Sequence, residues 1–279
     1  MKENDFLRFI HEHAQGNAEG RGEVAIGVGD DMGAVRLPAG PDGGALALLK
    51  IDQCLDGVHV DLRTQSAQQV GRKAVNRCLS DCAAMACLPA GVMVSVALPR
   101  EGPGSGEAFA QELFLACRDA AADSGCAVVG GDTAIWDGRL AIVVAALGRQ
   151  EPGIAPVLRS GARPGDSLFV TGALGGSILG RHLTFAPRLK DALALARAAG
   201  TGPDGGLHAM MDLSDGLAAD LPRLCAASGV GADVHTANLP VHDDAWRLSE
   251  NDGLPAALHA LIDGEDYELL FAVDPQSVP

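Results

Sequence analysis

The chain has 279 residues, enough at roughly 100 to 200 residues per domain for two domains with buried cores. Its 36 acidic residues against 21 Lys and Arg leave a formal charge of -15, and only 4% of residues are aromatic; repulsion of a polyphosphate backbone and the lack of stacking platforms argue against nucleic-acid binding. With 47% hydrophobic residues and 36 glycines in no triplet period, the composition excludes collagen and a disordered chain.

The opening stretch "MKENDFLRFIHEHAQG" reads as an amphipathic helix to about Ala14, with His11 and His13 on its solvated face. It lacks a signal-peptide core, and no apolar run reaches the roughly 20 residues of a membrane span, so a soluble cytoplasmic protein without membrane contact is expected. "EVAIGVGDD" and "GALALLKIDQ" predict strands, and "RTQSAQQVGRKAVNRCLSDCAAMA" predicts a helix interrupted at "LSD", where Ser80 or Asp81 caps a second one. "PAGVMVSVALP" predicts a strand, "GEAFAQELFLACRDAAADSG" a helix with Gly125 beyond its end, and "CAVVGGDT" and "RLAIVVAALG" two more strands. The seven cysteines form no CxxC pair and read as reduced, buried thiols.

"RSGARPGDSLFVTG" opens a fresh unit, which divides the chain into residues 1–150 and 151–279. There, "ALGGSILGRHL" predicts a helix after a glycine-rich loop, "PRLKDALALARAAG" a helix stopped by Gly200, and "AMMDLSDGLAADLPRLCAASG" a strand, turn and helix. "GADVHTANLPV" and the end of "LIDGEDYELLFAV" predict strands. The mixture indicates an α/β (α+β) fold.

One pattern recurs: an apolar strand or capped turn delivers an aspartate at its end. Asp30 with Asp31, Asp52, Asp81, Asp132, and Asp212 with Asp215 all share it. Each alone has a structural explanation as a cap or Asx-turn residue. Converging at a sheet edge they would repel strongly, and bound cations are the remedy. An all-oxygen donor set selects hard Mg²⁺, which suggests phosphate as a shared ligand. Gly29, Gly130, Gly131 and Gly216 beside the acids would allow close backbone approach. No GxxxxGK[ST] loop or GxGxxG fingerprint is present, so an ordinary P-loop or Rossmann kinase is unlikely on these motifs. "TGALGGS" either offers amides to a phosphate or is a plain strand-to-helix turn, and Arg159 is the candidate to pair with phosphate.

"GVGDDMGAV", "LSDCAAMACLP", "VVGGDT", "RSGARPGD", "MDLSDGLAADL" and "DGEDYELLF", in this order, resemble the thiamine-monophosphate kinase family of the aminoimidazole ribonucleotide synthetase superfamily, from about Glu23 to Val273. The resemblance implies an aminoimidazole ribonucleotide synthetase-like two-domain fold: an N-terminal sheet domain that binds ATP and metal and dimerises, and a C-terminal α/β domain. It implies ATP as co-substrate, several Mg²⁺ ions, and direct in-line transfer to thiamine monophosphate, giving thiamine diphosphate. By the resemblance, Asp31, Asp52, Asp81, Asp132, Asp212 and Asp215 match metal ligands. Gly131, Asp132, Arg159 and Ser214 match ATP contacts, and His59 and Glu265 match substrate contacts. No side chain is assigned as an acid or base, because positioning and metal ions carry the chemistry. The alternatives are another phosphate acceptor on the same scaffold, or a non-catalytic nucleotide-binding homodimer.

The chain departs from the family pattern at Lys50 and Ile51, where two hydroxyl residues are expected, at Cys78, where an asparagine is expected, and in a shortened segment after "TGALGG". The substrate-stacking aromatic residue of the family falls beyond Pro279, so that wall of the pocket is absent or the sequence is cropped. Strand alternation turns either Lys50 or Ile51 inward.

Overall fold

The computed structural model describes residue 10, residues 23–37 and residues 45–277; the expected first helix, with His11 and His13, lies outside them. Strands β1 (Val24–Ile26), β2 (Gly33–Arg36), β3 (Leu46–Leu55), β4 (Leu88–Pro99), β5 (Val128–Trp136) and β6 (Ala141–Arg149) form one sheet in the order β1-β2-β3-β6-β4-β5. Only β4 and β5 pair in parallel, because helix α2 (Glu107–Asp123) carries the chain back between them; the remaining pairs are antiparallel. A second, antiparallel sheet has the order β7-β9-β8, from β7 (Ser167–Val170), β8 (Leu207–Asp212) and β9 (Leu269–Val273).

Helix α1 (Ala67–Ala84) joins the two sheets. Ser66 caps it, its side chain accepting from the Gln69 amide while Gln69 reaches back to the Ser66 amide, a reciprocal capping box. The helix runs unbroken through "LSD": Ser80 and Asp81 are interior residues, not a second cap, since the Ala-rich segment sustains helix and both side chains find tertiary partners. It packs on β3, β4 and β6 on one side and on β8 and helix α3 (Leu189–Ala199) on the other, so one apolar core extends from Met32 through Leu79 and Ile142 to Met210 and Phe271. At Gly71 a Cβ would lie 2.8 Å from the Leu113 carbonyl oxygen, which is why α1 and α2 approach so closely there.

Two expectations in the second half are corrected. "ALGGSILGRHL" forms two 3-10 turns, Ser177–Leu179 and Arg181–Leu183, because Gly176 and Gly180 adopt φ of 73° and 134° and break any α-helix. "GADVHTANLPV" is not a strand; it holds a 3-10 turn, Thr236–Asn238, and only Val241 bridges, to Leu174. Helix α4 (Leu217–Ser228) follows β8 as expected, while helices α5 (Asp243–Asp252) and α6 (Ala256–Ile262) were not anticipated. All seven cysteines are free, and five are buried. Among the described residues no helix is long and apolar enough to cross a membrane.

Candidate functional site

Three acids from distant parts of the chain meet where the sheets face each other across α1. Asp31 comes from the turn between β1 and β2, Asp81 from the last turn of α1, and Asp212 from the end of β8. Each offers an oxygen within 4.8 Å of the others, and their exposures are 2%, 5% and 5%. Three carboxylates at that spacing out of water favour protonation. Burial pushes Asp31 upward against the pull of Arg159, pushes Asp81 well above its ordinary range, and raises Asp212 to about 6.

One oxygen of each acid is held by a protein donor. The Arg159 guanidinium donates to Asp31 Oδ1 through Nη2 (2.5 Å) and Nε (3.1 Å), and its amide donates to Asp30 Oδ1 at 2.9 Å. Lys50 Nζ donates to Asp81 Oδ1 at 2.7 Å, and Ser80 Oγ donates to Asp212 Oδ2 at 2.6 Å. Asp31 Oδ2 is buried with no hydrogen-bond partner among the described residues. The donors left over are all carboxylate oxygens with no sulfur or imidazole among them, and one of them is buried and orphaned; this fits a hard divalent cation.

The other expected acids are placed apart from this trio. Asp52 lies within β3, its Oδ2 3.3 Å from Arg77 Nε. Asp215 pairs with Arg223 at 2.6 Å on the exposed flank of α4. Asp132 sits inside β5 in register with Ser95, Val143 and Gln53, whereas Asp52 is in register with Val144, Val94 and Gly131; the pleat therefore sends Asp132 to the opposite face of the sheet. A Cβ at Gly131 would run into the Val94 carbonyl oxygen, so this position permits close strand pairing. The aspartates do not share a common strand-end placement: Asp212 ends a strand, Asp52 and Asp132 are internal to theirs, and Asp81 is helical.

A cavity of about 550 Å³, which no member of the trio lines, is bordered by His59, His182, Glu265, Arg63, Arg139 and Asp56 among others. Next to it the fully buried Lys73 donates from Nζ to the His59 carbonyl oxygen at 2.6 Å and to Glu265 Oε2 at 2.8 Å, and His182 Nδ1 stands 2.7 Å from the same Nζ and 3.0 Å from Glu265 Oε2. Burial works against ionisation of Glu265, but the His182 and Lys73 contacts win and hold its carboxyl at about 2. Burial pulls Lys73 below the ordinary lysine range, with Glu265 opposing. His59 Nδ1 accepts from the Leu55 amide at 3.0 Å, and burial lowers the imidazole below its usual value.

Glu265 and Tyr267 hold φ of 53° and 52°, left-handed conformations that cost about 1 to 3 kcal/mol each outside glycine. Backbone clips hold them there: Glu265 donates to the Ser214 carbonyl at 2.7 Å and Tyr267 to that of Leu213 at 2.8 Å. Tyr267 also stacks on Phe185, with centroids 4.0 Å apart. In the "TGALGGS" loop the Gly175 and Gly176 amides are already engaged, donating to Asp266 and Asp263. A separate groove of about 680 Å³, between β7 and α4, contains none of the trio.

Sequence reasoning missed Lys73, Arg77 and His182. Lys73, Arg77 and Asp81 recur at i, i+4 and i+8 of α1, a stripe linking cavity to acids over about 12 Å of helix. That spacing was visible, but charges at such intervals ordinarily mark a solvated face.

Residues 29–150 match the family of AIR synthase related protein, N-terminal domain, and residues 163–278 its C-terminal domain. The chain is 38% identical over 277 residues to a thiamine-monophosphate kinase of Rhodopirellula baltica, covering 98% of this chain and 83% of that protein. It is 34% identical to a thiamine-monophosphate kinase of Salmonella typhimurium, over 90% and 77% of the two chains. Among solved structures it is similar to AaThiL complexed with AMPPCP and TMP, with a TM-score of 0.83 and 27% identity over 99% of this chain and 86% of that one.

Proposed function

Because the chain belongs to the thiamine-monophosphate kinase family of AIR synthase related proteins, we propose that it transfers the γ-phosphoryl group of ATP directly to thiamine monophosphate, giving ADP and thiamine diphosphate. The observation that carries this reading is the convergence of Asp31, Asp81 and Asp212, which helix α1 connects through Arg77 and Lys73 to a cavity lined by Glu265 and His59. The AMPPCP and TMP in the AaThiL complex support this pair of substrates. Asp31, Asp81 and Asp212 would hold Mg²⁺, which when bound neutralises phosphate charge and aligns the reacting oxygens. Asp215 would join by exchanging its arginine partner for a cation.

The chain's own residues then have positioning roles. Arg159 orients Asp31 and opposes the burial that favours its protonation, and with Ser214 and Gly131 it would contact the nucleotide. Lys73 and His182 orient Glu265 at the acceptor cavity, with His59 beside it. The acceptor is a phosphate monoester with a second pKa near about 6, already a dianion for the most part at neutral pH, so in-line attack needs no general base.

Residues 1–150 and 151–279 are read as two domains, supported by the two separate sheets and the two family matches. A homodimer through the first sheet is supported by Leu49, Ile51, Met93 and Leu147, exposed apolar side chains on the face opposite α1. Asp132 stands on this same face and would act from the interface. The place of the enzyme is the cytoplasm, which supplies ATP and keeps thiols reduced.

The test is ADP release by the full chain with ATP, Mg²⁺ and thiamine monophosphate, with unphosphorylated thiamine as the control acceptor. ADP formed only with the monophosphate is expected. No ADP above the control overturns the reading.

A further inference from the structure

The acid trio of this chain is faced by cations of its own. Pairing register turns Lys50 inward and Ile51 outward: Ile51 is 66% exposed, while Lys50 extends under the sheet to Asp81. On the next strand position facing the same way, Asp52 meets the guanidinium of Arg77, whose Nε and Nη1 are buried without a hydrogen-bond partner among the described residues. Arg159 completes the set on Asp31. Four carboxylates, Asp31, Asp52, Asp81 and Asp212, thus meet three fixed positive charges. Of the trio's oxygens, Asp31 Oδ2 is the one left buried and unpartnered among the described residues, while the Lys50 ammonium is bonded to Asp81.

We propose that Lys50 and Arg77 are tethered cations that take over part of the charge neutralisation a divalent ion would supply, so that metal is held mainly on the Asp31 and Asp212 side of the trio while Asp52 and the Lys50-bound oxygen of Asp81 are neutralised by the chain itself. The inference rests on the metal reading above. A dication on the second oxygen of Asp81 would stand about 5 Å from the Lys50 ammonium, close enough in a partly buried site for strong repulsion. The ammonium and guanidinium differ from the ion they stand for: they donate hydrogen bonds to phosphate oxygens and cannot coordinate them. Their charge is present at any Mg²⁺ concentration, so fewer bound ions are needed to neutralise the acids.

The experiment counts Mn²⁺ bound per chain, by the electron paramagnetic resonance of free Mn²⁺, in the full-length protein with a non-hydrolysable ATP analogue. Lys50→Met and Arg77→Met are compared with wild type and with Lys50→Arg. Each Met variant is expected to bind one more Mn²⁺, or to bind it at least tenfold tighter, and Lys50→Arg is expected to keep the wild-type count. Thermal melts supply the second readout: Mn²⁺ should raise the Tm of Lys50→Met by at least about 5 °C more than that of wild type, because the ion replaces a lost ammonium. If Lys50→Met does not fold without metal, Arg77→Met decides. Equal counts, affinities within threefold and equal Mn²⁺ shifts overturn the proposal while leaving the metal site standing. Absence of Mn²⁺ binding to every form overturns the metal reading, and this inference with it.

Discussion

Replacing Lys73 by Met keeps the stem's volume and removes an ammonium shared by the His59 carbonyl and Glu265. Breaking a buried charge pair from one side costs about 3 to 5 kcal/mol, because the remaining charge is stranded. Here Glu265 is 27% exposed, so water relieves part of that penalty and the expected loss is about 2 to 3 kcal/mol. For a chain of this size that corresponds to a fall in Tm of roughly 5 to 10 °C. The pH dependence has a definite sign. Glu265 in the folded state titrates at about 2, below its unfolded value of about 4.3, so its contribution is fully present above the unfolded value and is lost as pH falls toward 2. Removing Lys73 removes much of that depression. The gap between wild type and Lys73→Met should therefore be widest above pH 5 and narrow between about pH 4 and 2. The assay is thermal melting of wild type, Lys73→Met, Glu265→Gln and the double variant across that range. A coupling above about 1.5 kcal/mol is expected, since Glu265→Gln removes the charge that Lys73 serves. Additive losses, or a gap that stays constant down to pH 3, would refute the argument that Lys73 acts on Glu265.

Asp81→Asn and Asp212→Asn should each lower ADP release by at least about 100-fold, while the metal-free protein melts at the same temperature or higher because a buried like-charge repulsion is relieved; melts with and without Mg²⁺ and nucleotide check both halves. Unchanged turnover in both variants would remove these acids from the site. Ile51→Glu with Met93→Glu places charge on the exposed apolar face of the first sheet, and sedimentation at micromolar concentration should show a shift from dimer to monomer. Gly131→Ala drives a methyl group into the Val94 carbonyl and should cost at least about 2 kcal/mol in denaturant titration; a neutral result would mean that β5 shifts freely along β4.

Much of the framework was legible because local signals agreed with one another. The closing prolines of "PAGVMVSVALP", the Gly125 and Gly200 stops, and the strand, turn and helix of "AMMDLSDGLAADL" all correspond to observed elements. The misread segments are those in which local and tertiary preferences part. "LSD" carries a cap signal, but Ser80 and Asp81 spend their side chains on Asp212 and Lys50 instead of on helix amides. "GADVHTANLPV" has strand composition, yet a strand needs a partner row of hydrogen bonds, and only Val241 finds one.

The chemistry of the site, hard oxygen ligands and no thiolate or imidazole cluster, was determined by the sequence alone, because it depends only on which side chains are present. Which of those acids share a site was decided by the tertiary structure. A one-residue step along a strand reverses the face a side chain occupies, so the register of β3, β6, β4 and β5 turns Lys50 in, Ile51 out, and Asp132 away from Asp52. Lys73 and Arg77 are the sharpest case. In sequence they are charges on an Ala-rich helix, indistinguishable from a solvated face; only the second sheet, packed against α1 from far along the chain, buries them and gives Lys73 its partners His182 and Glu265. Burial is a property of the whole packed chain, and no spacing within eighteen helical residues encodes it.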